Sequence, residues 1–532
     1  MTNSNSTPKV SRFPTFVSVF HWLVNWRMFG RVLVIVGALA TLVVLFYAEE
    51  NARGKHAWNQ YRQQLEARGE KLDFWAYVPP PVPDDQNFTM TPFLAPLFDF
   101  NPKPLEPGQS LWRDTNGFQR ANEFAKELNS VRFPAWARGQ FTDFQASIMK
   151  PKGITSSAKT ASSRAESAEK VLQILKKYDA VFDELRTASQ RPHARFNITY
   201  TNEFAPSILL PHLNIVGHAV SAFQLRASAE LALNKSDAAW ADAKMALYMA
   251  DTLKDEPFII SELVRSGLVQ RSLQPIWEGL AERKWSETQL REIQLRLGQS
   301  AILTPKTMRG ELAYTVLTID QMRTQSENEW RMWTLPFAKS AIPHFLIPDG
   351  WFYQNQLAII RSYEELVLPV INEPQRVFPA KAVANEEIIK KDYDSGFSPY
   401  RFLIKPFLLG EEMEMALFEA ERKIALGQTR VNEAIIACAL ERYRLANGQF
   451  PETLNAISPR FLEKIPLDLT TGEPLKYRRT TDGQFVLYSV GWDAKDDVGT
   501  LAWGRGKLHT NHDNSPTEDT KLGDWVWQYP AK

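Results

Sequence analysis

The sequence has a single cysteine, Cys438, among its 532 residues. An intrachain disulfide therefore cannot form, and a zinc cluster built on several cysteines is excluded. Net charge is nearly absent as well, because 62 Lys and Arg residues stand against 61 Asp and Glu residues, which leaves a formal charge of +1. Without an overall positive field, we expect no nucleic acid among the partners.

The common catalytic motifs are also missing. The sequence contains no G-x-S-x-G nucleophile elbow, no G-K-[ST] phosphate loop, no dinucleotide fingerprint and no H-E-x-x-H zinc helix. Two S-x-x-K sequences, at 156–159 and 167–170, match a Ser–Lys nucleophile motif in letters only, since no S-D-N or K-T-G partner accompanies them. His509 and His512 stand in a polar segment with too few further donors for zinc. We predict no catalytic residue and no enzymatic activity.

One long run of the sequence lacks charged side chains. Residues 32–48 read VLVIVGALATLVVLFYA, and residues 28–30 lengthen this run to that of a membrane-spanning helix. A cleaved signal peptide is the alternative, but no small-x-small cleavage site follows the run. We therefore predict one transmembrane helix over residues 28–48.

The residues that flank this helix bear on its orientation. Arg27 and Arg31 lie on its amino-terminal side, and Glu49 and Glu50 follow it directly. The numbers of Lys and Arg on the two sides are nearly even, whereas the immediate flanks favour a cytoplasmic N-terminus. We predict an inner-membrane protein whose bulk is periplasmic, with residues 1–27 as a cytoplasmic tail. Apolar residues at helical spacing in that tail indicate a helix in the membrane interface, with an exposed tail as the alternative.

The middle of the chain is predicted to be helical. Residues 49–110 begin with a stalk helix and continue as a Pro-rich extended segment. Residues 111–405 show helical periodicity with helix-start signals such as Ser286 and Thr304-Pro305. One helix pair resembles a tetratricopeptide unit, but no second copy follows at a period of about 34 residues, so we predict an irregular bundle. Aromatic residues over 330–370 either line a ligand groove or pack in the core.

A long helix is predicted from Glu411 to Ala446. Apolar residues recur in it at every seventh position, namely Leu417, Ile424, Val431, Cys438 and Leu445. Small residues beside this row allow a partner to approach closely. Cys438 is interpreted as a buried apolar side chain rather than a nucleophile. Asn447-Gly448 ends the helix, because glycine adopts the left-handed C-cap conformation.

The end of this helix and the sequence after it carry a family pattern. Its residues are Ala439-Leu440, Tyr443, Gly448, Phe450-Pro451, Thr453-Leu454, Ile465-Pro466, Asp468, Gly472, Pro474 and Tyr477. A turn at 481–483 then joins two strands, and Phe485, Leu487 and Ser489 alternate along the second strand, a pattern typical of a half-buried strand. The pattern resembles the globular C-terminal domain of the major pseudopilin of type II secretion. The resemblance implies an α+β domain with a small antiparallel sheet over 406–532, outside the cytoplasm. Two features depart from the family: Asp468 is not followed by Pro-Trp, and the apolar run at 32–48 lacks the early Glu of a pilin.

An acidic loop in this domain is the candidate metal site. Asp493, Asp496 and Asp497 lie in the sequence WDAKDDVG, and Asp524 follows in GDW. Oxygen ligands on a loop that contains glycine suit Ca²⁺. The corresponding pseudopilin loop binds calcium, so the resemblance implies these four residues as ligands and Ca²⁺ as the bound ion. A solvated acidic turn held by hydrogen bonds from side chain to backbone is the alternative.

Together these features predict a mainly α protein with an N-terminal transmembrane helix, an irregular helical bundle and a C-terminal α+β domain. The predicted function is that of a single-pass, membrane-anchored extracytoplasmic scaffold or interaction protein with protein partners, linked to secretion or envelope assembly. Two alternatives stay open. One is an envelope binding protein with a ligand groove in 330–370, and the other is an envelope hydrolase whose carboxylates come from distant positions.

Overall fold

Helices account for most of the chain in the computed structural model, which describes residues 26–101, 110–128, 136–145, 163–200, 205–302, 305–334, 343–371, 376–394, 411–503 and 518–530. The α-helices there are α1 (Trp26–Ala67), α2 (Thr115–Leu128), α3 (Arg164–Leu175), α4 (Asp179–Ala188), α5 (His212–Ala232), α6 (Ser236–Asp251), α7 (Ile259–Ala281), α8 (Glu287–Gly298), α9 (Pro305–Thr324), α10 (Glu327–Thr334), α11 (Asp349–Ser362), α12 (Pro379–Asp394) and α13 (Glu411–Asn447). The strands are β1 (Lys476–Arg479), β2 (Phe485–Ser489), β3 (Leu501–Trp503), β4 (Glu518–Gly523) and β5 (Trp525–Trp527).

Several short helices connect these elements. A π-helix at Tyr363–Val367 continues α11. The 3₁₀ helices are Phe74–Ala76, Asp84–Gln86, Ala95–Phe98, Trp136–Arg138, Lys176–Tyr178, Ala205–Ser207, His344–Leu346, Leu368–Ile371 and Leu454–Ile457. The predicted interfacial helix in residues 1–27, the sequence at 156–159, and His509 with His512 lie outside the described residues.

The apolar run forms the first part of α1, which continues without a break into the predicted stalk. By length and composition, the helix over Met28–Ala67 is capable of spanning a membrane. Its apolar side chains point away from the rest of the chain; Leu33, Val34 and Ile35, for example, are 56%, 72% and 58% exposed.

The second half of α1 packs against α11 rather than standing free. Two glycines allow this contact, because a Cβ added at Gly54 would lie 2.2 Å from the carbonyl oxygen of Gly350. Trp58 and Leu65 are buried on the same half of the helix, at 2% and 0% exposure. Residues 49–67 therefore belong to the packed body of the protein.

The bundle is built around α5, α6 and α7, which pack on one another. Alanine recurs among the buried residues of α5 and α6, so these two helices approach closely. Asn234, at a φ of 59°, adopts the left-handed conformation in the short turn between α5 and α6. Further along, Ser286 begins α8 with a capping box in which Gln289 is the reciprocal partner, as the helix-start signal predicts.

Helix α13 is the central element that joins the bundle to the sheets. It packs on α7 and α8 from one side and on α12, β2 and β5 from others. The predicted row is buried at Leu417, Ile424, Val431 and Cys438, whereas Leu445 is 47% exposed because it lies beyond the packed part. Gly427 is the point of closest approach, since a Cβ there would lie 2.1 Å from Ser266 Oγ on α7.

The strands form two small antiparallel sheets. The first has the order β1-β2-β5, with Tyr477 opposite Leu487 and Leu487 opposite Trp527. The second pairs β3 with β4. Gly483, at a φ of 76°, forms the predicted turn between β1 and β2.

Strand β2 is buried on both faces, although its sequence predicts alternation. Phe485 and Leu487 belong to the main core, while Val486 and Tyr488 form a small cluster with Val526 of β5. This second cluster covers the face that was expected to be solvated. The structure thus confirms a mainly helical chain with one apolar N-terminal helix and small antiparallel sheets near the C-terminus. The tetratricopeptide-like pair and the pseudopilin-like domain stay predictions.

Candidate functional site

The four predicted metal ligands lie together around the turn that precedes β3 and the link between β4 and β5. Asp524 is buried, and its carboxylate accepts backbone N–H groups from Gly499 at 2.6 Å, from Asp497 at 3.3 Å and from Thr500 at 3.3 Å. Burial raises the pKa of Asp524, and these three hydrogen bonds oppose that rise.

Asp497 is exposed, and its backbone N–H, as stated above, donates to Asp524; the carboxylates of Asp496 and Asp493 bind other groups. Asp496 Oδ1 accepts the Tyr488 hydroxyl at 3.0 Å and the Val498 N–H at 3.0 Å. Asp493 accepts the Lys495 N–H at 3.2 Å through Oδ1 and, through Oδ2, the Gly523 N–H at 3.4 Å. Hydrogen bonds from Asp493 and Asp496 to the residue two positions on are those of an acidic turn.

This geometry does not bring the carboxylates together as a cage. Among the described residues, no group of three or more His, Cys, Asp or Glu side chains is placed to hold a metal ion. Asp524 already uses both oxygens on backbone donors, so calcium would have to displace those contacts or use other oxygens. Calcium binding at Asp493, Asp496, Asp497 and Asp524 stays a prediction.

A fifth acid, Asp468, organises the same domain. It is 2% exposed and accepts four hydrogen bonds: from Thr470 N at 2.9 Å, Thr470 Oγ1 at 2.8 Å, Ser489 Oγ at 2.9 Å and Val490 N at 3.1 Å. These contacts tie the loop before β1 to the end of β2. Asp468 belongs to the sequence pattern described above, and its role here is structural.

The aromatic segment 330–370 packs internally where it is described. Trp330, Trp351 and Phe352 are buried in one cluster, at 2%, 7% and 1% exposure. Residues 335–342 lie outside the described part, so the groove proposed for this segment stays a prediction.

An open cleft of about 680 Å³ lies elsewhere, beside the bundle. Its walls come from four places that are far apart in the chain: the Pro-rich segment after α1, the segment 191–200, the turn between α6 and α7, and the start of α9 with the end of α8. Tyr200 and Tyr248 provide aromatic surface, and Pro79, Pro80 and Pro192 provide rigid apolar surface. Burial raises the pKa of both tyrosines, so their hydroxyl groups stay protonated donors.

Segment 191–200 is held in place by backbone pairing. Phe88 N donates to His193 O at 2.7 Å, and His193 N donates to Gln86 O at 3.2 Å. Thr89 Oγ1 also donates to Arg195 O at 2.6 Å. The wall that carries Arg191 and Arg195 is therefore held in place without a ligand.

Cations outnumber acids on the lining of this cleft. The cations are Arg191, Arg195, Lys254, Arg296 and Lys306, and the acids are Asp251, Asp255 and Glu256. Arg296 pairs with Asp251 at 2.6 Å, and Asp251 also binds the buried Arg265 at 2.8 Å. Glu256 bonds to His212 at 2.7 Å and accepts the Ser261 hydroxyl.

Three of these cations, Arg191, Arg195 and Lys254, form no salt bridge in the part of the chain that the structure describes, and the two arginines are held by oxygen atoms of neighbouring residues. Arg191 donates to the carbonyl oxygens of Asn87 and Met90, at 2.8 and 3.2 Å. Arg195 donates to the carbonyl oxygen of Pro79 at 3.0 Å and to the Asn197 amide oxygen at 3.3 Å. Neither forms a salt bridge within the described residues. Each guanidinium has five N–H groups, so both keep donors for an anion. A basic R-P-H-A-R sequence at 191–195 is the one sequence signal of this site.

Three further polar groups are buried where α9, the π-helix and α13 approach. Glu421 is 0% exposed, and neither carboxylate oxygen has a hydrogen-bond partner among the described residues. Burial raises its pKa well above 4.5. Burial also raises the pKa of Glu311 to about 7, opposed by a hydrogen bond from Ile259 N at 3.0 Å. Both carboxyl groups act electrostatically on Tyr363, whose buried hydroxyl has no hydrogen-bond partner in the described part of the chain.

These buried acids do not line the cleft described above. A hydrolase would need raised carboxylate pKa values and substrate access at one place, and within the described residues the two features lie apart. The hydrolase alternative therefore gains no support from this geometry.

Comparison with known proteins gave no match: no family model, no curated protein and no solved structure matches the chain.

Proposed function

We propose that this chain is a single-pass, membrane-anchored scaffold or interaction protein whose body lies outside the cytoplasm, in secretion or envelope assembly. The observation that supports it best is the continuity of α1, in which an exposed apolar half passes directly into a half that packs on α11. The body would therefore be held at the membrane in a fixed orientation, as a scaffold requires. The pseudopilin-like pattern supports a location outside the cytoplasm and protein partners.

The single buried cysteine makes the topology directly testable. Cys438 is 0% exposed, so a maleimide reagent should reach only a cysteine that is introduced. Ala241→Cys, on the exposed side of α6, and Ser4→Cys, in the N-terminal tail, would be labelled with a membrane-impermeant maleimide on intact spheroplasts. We expect labelling at 241 without lysis and at 4 only after lysis. The opposite pattern would place the body in the cytoplasm and overturn the proposal.

Partner binding needs its own experiment. A photo-crosslinking residue at the exposed position Ala456, in the C-terminal domain, would be compared with one at Ala241. A scaffold should give a discrete crosslinked product of constant mass, and its formation should depend on which of the two positions carries the photo-crosslinking residue. Adducts that are absent at both positions would contradict the interaction function.

A second candidate function is the binding of an anionic ligand in the cleft beside the bundle. It rests on Arg191 and Arg195, which are fixed by backbone carbonyls and lack acidic partners in the described part of the chain. A carboxylate or phosphate group suits guanidinium donors, and Tyr200 and Tyr248 offer rings against which the rest of such a ligand packs.

Inorganic phosphate is the probe for this cleft. At constant ionic strength it should raise the melting temperature of the wild type and of Arg291→Gln, an exposed arginine on α8 outside the cleft. Arg195→Gln should lose the increase. The quantity compared is the increase in melting temperature that phosphate causes. The melting temperature itself is not compared, because Arg195 also donates to the Pro79 carbonyl and its loss alone would lower the stability. Equal increases in all three proteins would reject the site.

Calcium binding by the acidic loop is proposed on the resemblance and on ligand chemistry. Calcium should raise the melting temperature of the full chain, and Asp493→Ala should abolish that increase. Asp519→Ala, an acid on β4, is the matched control. If magnesium raises the melting temperature as much as calcium does, or if neither ion raises it, the loop is a solvated turn.

A further inference from the structure

We propose that the turn His344–Leu346 inserts Phe345 and Leu346 into the outer membrane–water interface, as a second membrane contact beside α1. This inference rests on the proposed membrane anchoring. It concerns a surface that the sequence does not single out, and its occupant is the lipid bilayer.

The two side chains are exposed although their neighbours are firmly held. Phe345 is 71% exposed and Leu346 is 50% exposed. His344 N donates to Glu327 at 2.8 Å, and on the other side Ile347 is 5% exposed within the apolar cluster of Trp330 and Trp351. A fixed turn that presents two large apolar side chains outward marks an interaction site rather than a loose loop.

The position of the turn identifies the membrane as what covers it. Tyr47 Oη on α1 donates to the carbonyl oxygen of Leu346 at 2.8 Å. The neighbouring Phe46 ring lies edge-on to Trp351, with 6.5 Å between ring centres. The exposed turn is therefore continuous with the apolar surface of the anchor.

Helix length places Tyr47 at the edge of the bilayer. From Met28 to Tyr47 the helix has about 20 residues, and at about 1.5 Å per residue it covers about 30 Å, the thickness of the hydrocarbon core. Arg31 lies one turn from the amino-terminal end, where its long side chain reaches the headgroups. The exposed Glu49 and the buried Glu50 follow beyond Tyr47. Tyrosine and tryptophan are typical of the membrane–water interface. Phe345 and Leu346 lie at that same level.

The packing of α1 on α11 would keep the turn at this depth. Glu50 accepts hydrogen bonds from Trp351 Nε1 at 3.1 Å and from Gln354 Nε2 at 2.9 Å. Asn51 accepts the Gly350 N–H at 2.8 Å. These contacts join α1 to the residues that directly follow the turn, so both would enter the membrane as one unit.

Depth-dependent fluorescence quenching tests this contact on the full chain in phosphatidylcholine nanodiscs. A polarity-sensitive NBD label would be attached to Phe345→Cys, with Cys438 remaining buried and unlabelled. Lipids with a doxyl quencher near the headgroup or near the bilayer centre report the depth of the label. Leu39→Cys, in the middle of the apolar run, is the positive control. Leu295→Cys is the matched negative control, because this leucine of α8 is also exposed, at 62%.

We expect the label at 345 to be quenched at least twofold more by the shallow quencher than by the deep one. The label at 39 should show the reverse order, and the label at 295 should not be quenched. Blue-shifted emission at 345 without lipid quenching would mean that protein covers the turn, and water-like emission would mean that nothing does; either result overturns the inference while membrane anchoring stands. Failure of quenching at 39 would instead reject the anchoring itself.

Discussion

Replacing Glu421 by glutamine should remove a pH-dependent loss of stability from this protein. Glu421 lies on α13 at 0% exposure, and both of its carboxylate oxygens lack a hydrogen-bond partner within the described ranges. Burial therefore favours the neutral acid and raises the pKa well above its ordinary value of 4.5. The folded protein retains this proton at pH values where the unfolded chain releases it.

The sign and size of the effect follow from this difference in bound protons. Stability from this group is fully present below about pH 4.5 and falls as the pH rises toward the folded pKa. Each pH unit in that interval lowers the free energy of unfolding by about 1.4 kcal/mol. Above about pH 4.5, and as long as Glu421 stays protonated in the folded protein, the Glu421→Gln variant should therefore gain up to about 1.4 kcal/mol per pH unit relative to the wild type. The glutamine amide also lacks a partner, at a cost of about 1–3 kcal/mol, but that cost does not change with pH.

The measurement is urea unfolding of the detergent-solubilised protein, followed by tryptophan fluorescence at several pH values. The relevant quantity is the slope of the free energy of unfolding against pH, compared between the wild type and the variant. Glu463→Gln, an exposed acid near the C-terminal domain, should leave the slope unchanged. If Glu421→Gln also leaves it unchanged, Glu421 is charged in the folded protein and the reasoning from burial is wrong.

Three further predictions concern packing and reactivity. Gly54→Ala should destabilise the protein by about 1–3 kcal/mol, because the added Cβ would meet the Gly350 carbonyl. Gly267→Ala, with open space around the residue, should instead stabilise the protein by about 0.5–1 kcal/mol. Thermal unfolding of both variants tests this difference, and equal effects would contradict the close crossing of α1 and α11. Asp468→Ala should cost about 3 kcal/mol by leaving buried donors unpaired; a loss below about 1 kcal/mol in urea unfolding would show that water replaces the carboxylate. Cys438, whose thiol pKa is raised by burial, should react with a disulfide reagent only after denaturation, and a fast reaction of the native protein would mean that α13 is accessible.

Local signals in the sequence were sufficient to locate individual helices. The predicted end of α13 at Ala446 lies one residue before the observed end at Asn447. The prediction is this close because Gly448, directly after the helix, adopts the left-handed conformation that ends helices. The capping box at Ser286 and the proline at the start of α9 likewise mark real helix starts. Such signals act over three or four residues, so a single sequence contains them completely.

Features that depend on distant segments were not predictable in the same way. The cleft combines residues from Pro79 to Lys306, and only the arginines at 191 and 195 are marked in the sequence. The contact between Glu50 and Trp351 joins positions about 300 residues apart, and neither side chain indicates the other. Burial of both faces of β2 required knowledge of its neighbours, because alternation describes one covered face only. The exposed pair at 345 and 346 lies in the aromatic segment 330–370, for which the sequence predicts either a ligand groove or core packing.

The C-terminal region is joined to the bundle by direct contacts through its last strand. Trp277 Nε1 on α7 donates to the carbonyl oxygen of Gln528 at 3.0 Å, and Arg430 on α13 donates to that of Val526 at 2.6 Å. The rings of Trp136 and Trp527 lie 4.7 Å apart, and one continuous core contains residues from both regions. A pseudopilin-like pattern thus occurs in a segment that shares its core with the helices before it. Helix α1 packs on α11, α11 packs on α9, α9 packs on α7, and α7 packs on α13. A load applied at the C-terminal sheets would therefore reach α1 through packed side chains. The proposed scaffold function depends on such mechanical continuity.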